Sequence, residues 1–124
     1  MATFTVYKGD DIVLNYNIED APEGLSGYQA HWVMAEEKPP LTSYGAGDKV
    51  LQKDTGNHFG AGGGITIDTN QVKVSIPSGN TDQQSGIPIG HYKCQLILKA
   101  PNAAQRVASS DLLILEAPIK RINP

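Results

Sequence analysis

The stretch that decides the fold is Gly90–Leu98, which reads GHYKCQLIL. Apolar or aromatic side chains occupy every second position from Tyr92 onward. Side chains two residues apart project from the same face of a β-strand. The stretch therefore predicts a strand whose inner face is formed by Tyr92, Cys94, Leu96 and Leu98.

A second alternating stretch, Tyr28–Met34, carries the only tryptophan, Trp32. A Gly-x-Tyr-x-Cys start on a late strand and a Trp on an earlier strand resemble strands F and C of immunoglobulin-like sandwiches. The resemblance implies that the Tyr92 hydroxyl bonds nearby backbone and that Trp32 shares a core with Cys94. Cys94 is the only cysteine, so we expect no disulfide. The expected fold is an all-β, immunoglobulin-like β-sandwich of about seven or eight antiparallel strands.

The other strands are predicted where apolar residues alternate or cluster between turn residues. They cover Phe4–Tyr7, Ile12–Ile18, Lys49–Lys53, a hairpin over Ile65–Ile76, and Arg106–Leu115. The hairpin turn is predicted at residues 68–70, where Asn70 tolerates a left-handed turn conformation.

Length and composition fit one domain. With 124 residues the chain can bury its own core, and 13 Gly and 8 Pro favour short strands joined by turns. Residues 1–117 are predicted to form the sandwich and residues 118–124 an extended carboxy-terminal tail. The net charge of −3 and the lack of a long apolar run argue against nucleic-acid and membrane partners. The lone cysteine and the charged amino-terminal stretch indicate synthesis in a reducing cytoplasm.

The segment Asp54–Gly64 holds five glycines around an Asn-His-Phe triplet. So many glycines predict a mobile loop without one fixed conformation. Loops and tails that order on binding are natural contact sites. The candidate interaction residues are therefore in this loop and in the basic tail, namely Asn57, His58, Phe59, Gly60, Lys120 and Arg121.

The residues form no recognisable catalytic or cofactor site. The Gly-rich segment lacks the Gly-Lys-Ser/Thr ending of a phosphate-binding loop. The position of Cys94 in the alternation places it inside, where a thiol is inert. The sequence therefore predicts a protein that is not an enzyme and needs no cofactor.

His31 and His91 are the best metal candidates, because both occupy outward positions on strands predicted to be neighbours. They could meet across one sheet. A zinc site needs three or four ligands, however, and no third ligand has a matching position. We therefore expect no metal, and ordinary polar surface at both histidines.

Three short motifs follow one another along the chain: FTVYKGD at 4–10, LSG at 25–27 and GHY at 90–92. Their order resembles small β-sandwich domains of tailed-bacteriophage virion proteins, a class that includes phage decoration proteins, and most of all the amino-terminal domain of phage baseplate upper proteins. The resemblance covers Phe4–Ala117. It implies an assembly module that attaches virion parts to each other and catalyses no reaction.

A stand-alone sandwich with a Gly-rich loop and a short tail suits a protein present in many copies on a shell. We expect a capsid decoration (cement) protein, made in the host cytoplasm and located in the virion. Its expected partner is the major capsid protein or another virion protein, and we expect it to form a homo-oligomer or to be present in multiple copies on the particle. One alternative is a tail or baseplate adaptor. Another is a host-surface or carbohydrate-binding module, which would need exposed aromatic residues; only Tyr44 and Phe59 lie in predicted loops.

Overall fold

The computed structural model describes residues 3–19, 23–36, 49–81 and 86–117. These residues form eight strands and one 3-10 turn at Ser78–Asn80. The strands are β1 (Thr3–Tyr7), β2 (Ile12–Asn17), β3 (Gln29–Glu36), β4 (Lys49–Asp54), β5 (Ile65–Asp68), β6 (Gln71–Ile76), β7 (Gly90–Lys99) and β8 (Gln105–Glu116). No helix in these four segments is long and apolar enough to cross a membrane.

The strands form two sheets with the orders β1-β8-β7-β3-β4 and β2-β6-β5. Neighbouring strands are antiparallel except β1, which runs parallel to β8. The expectation of only antiparallel strands is wrong for this pair. After β1 the chain crosses to β2 in the other sheet, so β1 and β8 are not joined by a hairpin and can run in the same direction. Central strands β7 and β3 face β2 across the core. The chain therefore folds as an immunoglobulin-like β-sandwich without a disulfide.

The core confirms the predicted strand register. Trp32 and Cys94 are fully buried in one cluster, and Trp32 Nε1 donates to Tyr16 Oη at 3.1 Å. The Tyr92 hydroxyl donates to the Pro88 carbonyl, as the immunoglobulin-like resemblance implies. The inner side chains predicted on β2 and β7 are all buried: Ile12, Leu14, Tyr16, Ile18, Tyr92, Cys94, Leu96 and Leu98.

The β5–β6 hairpin turns at the predicted place, but the left-handed residue is Thr69 (φ 57°) and not Asn70. Contacts outside the hairpin account for this choice. The Thr69 carbonyl accepts the Leu25 N–H at 2.7 Å, and the Asn70 carbonyl accepts the Ile18 N–H at 2.8 Å. These two bonds fix the orientation of the turn and override the local preference of Asn for positive φ.

Candidate protein-binding face

The loop between β4 and β5 folds around the carboxylate of Asp54, the last residue of β4. Asp54 is fully buried. Its carboxylate accepts the backbone N–H groups of Phe59 (2.7 Å), Ala61 (3.0 Å) and Gly63 (2.6 Å). One side chain therefore fixes the path of residues 55–63.

The charge of this carboxylate is maintained by the same contacts. Burial by itself raises the pKa of the Asp54 carboxyl, but the backbone N–H donors of the loop prevail and hold the pKa below its ordinary value. Asp54 is thus ionised at neutral pH. Hydrogen bonds to an ionised acceptor are stronger than neutral ones, so the loop is held firmly.

A second group of bonds attaches the start of the loop to β3. The Thr55 N–H donates to the Ala30 carbonyl, and Thr55 Oγ1 accepts the Ala30 N–H, both at 3.1 Å. Farther along, Asn57 Oδ1 accepts the Gly62 N–H at 2.8 Å. Nearly every part of the loop is thus bonded to the sheet or to itself.

This geometry corrects the expectation of a loop without one conformation. Its glycines do supply positive φ angles, for example at Gly60 and Gly62, where a side chain would be strained. The sequence interpretation did not include the Asp54 carboxylate, which accepts the backbone N–H groups of the loop. Asp54 lies five to nine residues before its three donors, and no short motif reveals that spacing.

Phe59 packs the loop against the outer face of the five-stranded sheet. Its ring stacks on the His31 ring, with centroids 4.8 Å apart and planes 9° from parallel. His31 Nε2 lies 2.9 Å from Gln52 Oε1 on the neighbouring strand β4. His31 does point outward as predicted, but it is only 8% exposed because the loop covers it.

His91 lies far from His31, so the idea that the two histidines meet is wrong. His31 pairs with Ile97 on β7, six residues from His91 on that strand. Six residues of a strand span roughly 20 Å. The residues that the structure describes contain no group of three or more His, Cys, Asp or Glu side chains that could hold a metal ion.

Cross-strand pairing extends the site beyond the loop. His31 pairs with Ile97 on β7, and Ile97 pairs with Val107 on β8. Directly paired residues project from the same face, so the three side chains form one row across the sheet. Val107 at the end of the row is 51% exposed. The loop 55–63 with Ile97 and Val107 is hereafter the binding face.

Two of the four large exposed apolar side chains in the described segments lie on the sheet that carries this face, and a third directly precedes one of its strands. Among the described residues, the large exposed ones are Tyr7, Val13, Ile89 and Val107. Tyr7 and Val107 belong to the five-stranded sheet, and Ile89 directly precedes its strand β7. Exposed apolar surface is a feature of interaction sites. The five-stranded sheet is therefore the better candidate for a protein contact.

The predicted contact residues divide into two groups. Asn57, His58 and Gly60 are exposed on the loop, and Phe59 is half-buried against His31. Lys120, Arg121 and the rest of the tail lie outside the described residues. The sequence interpretation located the loop but missed Ile97 and Val107. The outward position of Ile97 follows from the alternation of β7, whereas that of Val107 depends on a register shift between β7 and β8 that the sequence pattern does not reveal.

Cys94 lies in an enclosed interior with a carboxylate that the sequence interpretation missed. Asp111 is buried and pairs with Cys94, and the Ser109 hydroxyl donates to Asp111 Oδ2 at 2.6 Å. Burial first, and then the Asp111 charge, raises the pKa of the Cys94 thiol to about 12. The thiol is therefore protonated and inert. Asp111 lies two residues before Leu113 and four before Leu115, so the alternation of β8 predicts that its side chain also points inward.

No protein-family model matches this sequence, and no curated protein matches it. Among solved structures, the chain is similar to Drosophila OTK, extracellular domains 3–5. The TM-score is 0.37 and the identity 16%, over 97% of this chain and 34% of that one. The chain thus spans about a third of that structure. Its fold assignment rests on its own strand order and core contacts.

Proposed function

We propose that this chain is a structural protein of a bacteriophage virion, a capsid decoration (cement) protein that binds between subunits of the major capsid protein. The resemblance of its motifs to sandwich domains of tailed-phage virion proteins supports the proposal. The observation that carries it is the binding face, where a loop fixed by a buried carboxylate lies beside the half-buried Ile97 and the exposed Val107.

A fixed loop makes a better contact than a flexible one. Ordering a flexible segment on binding costs conformational entropy, and a loop already held by Asp54 avoids most of that cost. Ile97 and Val107 lose water when a partner covers them, which supplies the main favourable free energy. Asn57 and His58 surround this apolar area with groups that form hydrogen bonds, as a polar rim does.

Binding between subunits explains how such a protein stabilises a shell. A site made from two neighbouring subunits exists only in the assembled state. Ligands that bind one state stabilise it by mass action, so each bound copy opposes disassembly. A tail or baseplate adaptor would use the same face on a different partner and is the second candidate.

The test is co-sedimentation with shells of the major capsid protein encoded in the same genome. The variant is Val107→Glu, which places a charge on the apolar floor of the binding face. The matched control is Thr66→Glu, since Thr66 is exposed on β5 of the opposite sheet. We expect wild type and control to bind equally and Val107→Glu to bind at least about tenfold more weakly, a loss of about 1.4 kcal/mol.

Two outcomes would contradict the proposal. If Val107→Glu binds shells like wild type, the contact does not involve the binding face. If wild type does not bind shells but does bind purified tails or baseplates, the adaptor function replaces the decoration function. Circular dichroism of each variant confirms that the fold is retained.

A further inference from the structure

Strand β2 is an edge of the three-stranded sheet, and half of its backbone groups have no strand partner in the described segments. Within the described segments it pairs only with β6. The Ile18 N–H donates to the Asn70 carbonyl at the β5–β6 turn. The backbone groups of successive residues in a strand point to opposite sides, so Ile12, Leu14 and Tyr16 also direct their N–H and C=O groups towards β6. Val13, Asn15 and Asn17 therefore direct their N–H and C=O groups away from the sheet.

The pairing of β6 supports this assignment independently. The Ser75 N–H donates to the Gly64 carbonyl on the β5 side. Val74, one residue earlier, therefore directs its backbone groups towards β2, where it pairs with Leu14. Even-numbered residues thus bond to each other across β2 and β6, and the odd-numbered groups of β2 remain at the open edge.

This edge lacks the protection found on the opposite side of the sandwich. Edge strands are commonly protected by charged residues, proline or short length. Edge strand β4 contains Lys53, and β5 has only four residues, one of them Asp68. The six residues of β2, IVLNYN, include no charge and no proline. Its Val13, at 55%, is one of the large exposed apolar side chains that lie outside the binding face.

We propose that a second copy of this chain pairs with β2, so that two β2 strands run antiparallel across a two-fold axis. The axis passes through Asn15, which lies opposite the partner's Asn15. Val13 then lies opposite the partner's Asn17, and Asn17 lies opposite the partner's Val13. Because the outward groups belong to Val13, Asn15 and Asn17 in both copies, this register forms about six backbone hydrogen bonds.

The register also determines how the two sandwiches are arranged. Side chains of one parity share a face, so odd-to-odd pairing puts both apolar inner faces on the same side of the joined sheet. A six-stranded sheet results, and both five-stranded sheets lie on one side of it. Both binding faces then point the same way. A dimer of this form can contact one surface twice, which raises its effective affinity. The pairing itself does not depend on the proposed function.

The test uses charge at the two-fold axis. Like charges directly opposite each other on paired strands are destabilising, and opposite charges are stabilising. In sedimentation equilibrium we expect wild type to form dimers, and Asn15→Lys and Asn15→Asp each to weaken dimerisation at least about tenfold. An equimolar mixture of the two variants should dimerise again. Thr66→Lys, two strands from the edge, is the control and should dimerise like wild type.

Three outcomes would overturn the proposal. They are a wild type that stays monomeric at every soluble concentration, single variants that dimerise as well as wild type, and a mixture that fails to dimerise while both variants stay folded. None of these results bears on shell binding by the monomer, which Val107→Glu tests separately.

Discussion

The indole of Trp32 joins the two sheets through one polar contact. Its Nε1 donates to Tyr16 Oη at 3.1 Å, and both side chains are buried. Phe4 meets the Tyr16 ring edge-on, with centroids 5.9 Å apart and planes at 75°. The Tyr16 hydroxyl thus satisfies a buried donor that has no access to water. Removing that hydroxyl is a direct test of the core.

Tyr16→Phe should destabilise the fold by roughly 1–3 kcal/mol, because the Trp32 N–H is left buried without its acceptor. The measurement is urea unfolding followed by Trp32 fluorescence. Tyr7→Phe is the matched control, since Tyr7 is exposed, and should stay within about 0.5 kcal/mol of wild type. Equal stability of the Tyr16→Phe variant and wild type would contradict the contact.

Alkaline pH should also weaken the core. Burial raises the pKa of the Tyr16 hydroxyl above its ordinary range and that of the Cys94 thiol to about 12. Each group holds its proton more tightly when folded. Its contribution to stability is complete below the ordinary pKa, 9.0 for the thiol, and is lost as pH rises towards the folded value.

We therefore expect the free energy of unfolding to fall above about pH 9, by up to about 1.4 kcal/mol per pH unit for each group. Urea unfolding at a series of pH values measures this slope. Cys94→Ala removes one group and should give a shallower fall than wild type. Identical slopes for the two proteins would show that Cys94 is not shielded as described.

The loop between β4 and β5 depends on one ionised side chain. Asp54→Asn replaces a carboxylate oxygen with an NH₂ group, which cannot accept the N–H groups of the loop. We expect a loss of about 1.5–3 kcal/mol at neutral pH. Amide hydrogens of Phe59, Ala61 and Gly63 should exchange faster. Asp68→Asn, at an exposed position on β5, is the control. Unchanged exchange in Asp54→Asn would contradict the assigned anchor.

Acid should weaken the same loop. The folded pKa of Asp54 lies below its ordinary value of 3.8, so its contribution is complete above that value. The contribution is lost as pH falls through the lower, folded pKa. Wild type should therefore lose more stability than Asp54→Asn as the pH falls from about 4 to about 2. Urea unfolding across this range measures the difference, and parallel curves would contradict it.

The strands could be predicted from the sequence because alternation is a local property. It identified the inner side chains of β2 and β7, and the immunoglobulin-like resemblance placed Trp32 and Cys94 in one core. The loop could not be predicted, since Asp54 acts on donors up to nine residues away and His31 is covered by a ring from another element. Thr69 shows the same limit, because bonds from Leu25 and Ile18 decide which turn residue is left-handed.

The molecule as a whole separates two surfaces. The binding face lies on the five-stranded sheet, and the β2 edge lies on the three-stranded sheet. In the two proposals, a shell contacts the five-stranded sheet and a second copy contacts the edge of the three-stranded sheet, so the proposed contacts involve different sheets.

The central claim is that the binding face contacts the shell. Hydrogen–deuterium exchange of the protein, free and bound to shells, tests it most directly. We expect new protection in residues 55–63 and in the first part of β8 around Val107, with the outer face of β5 and β6 unchanged. Protection confined to β5 and β6, or no difference between free and bound protein at saturating shell concentration, would contradict the account.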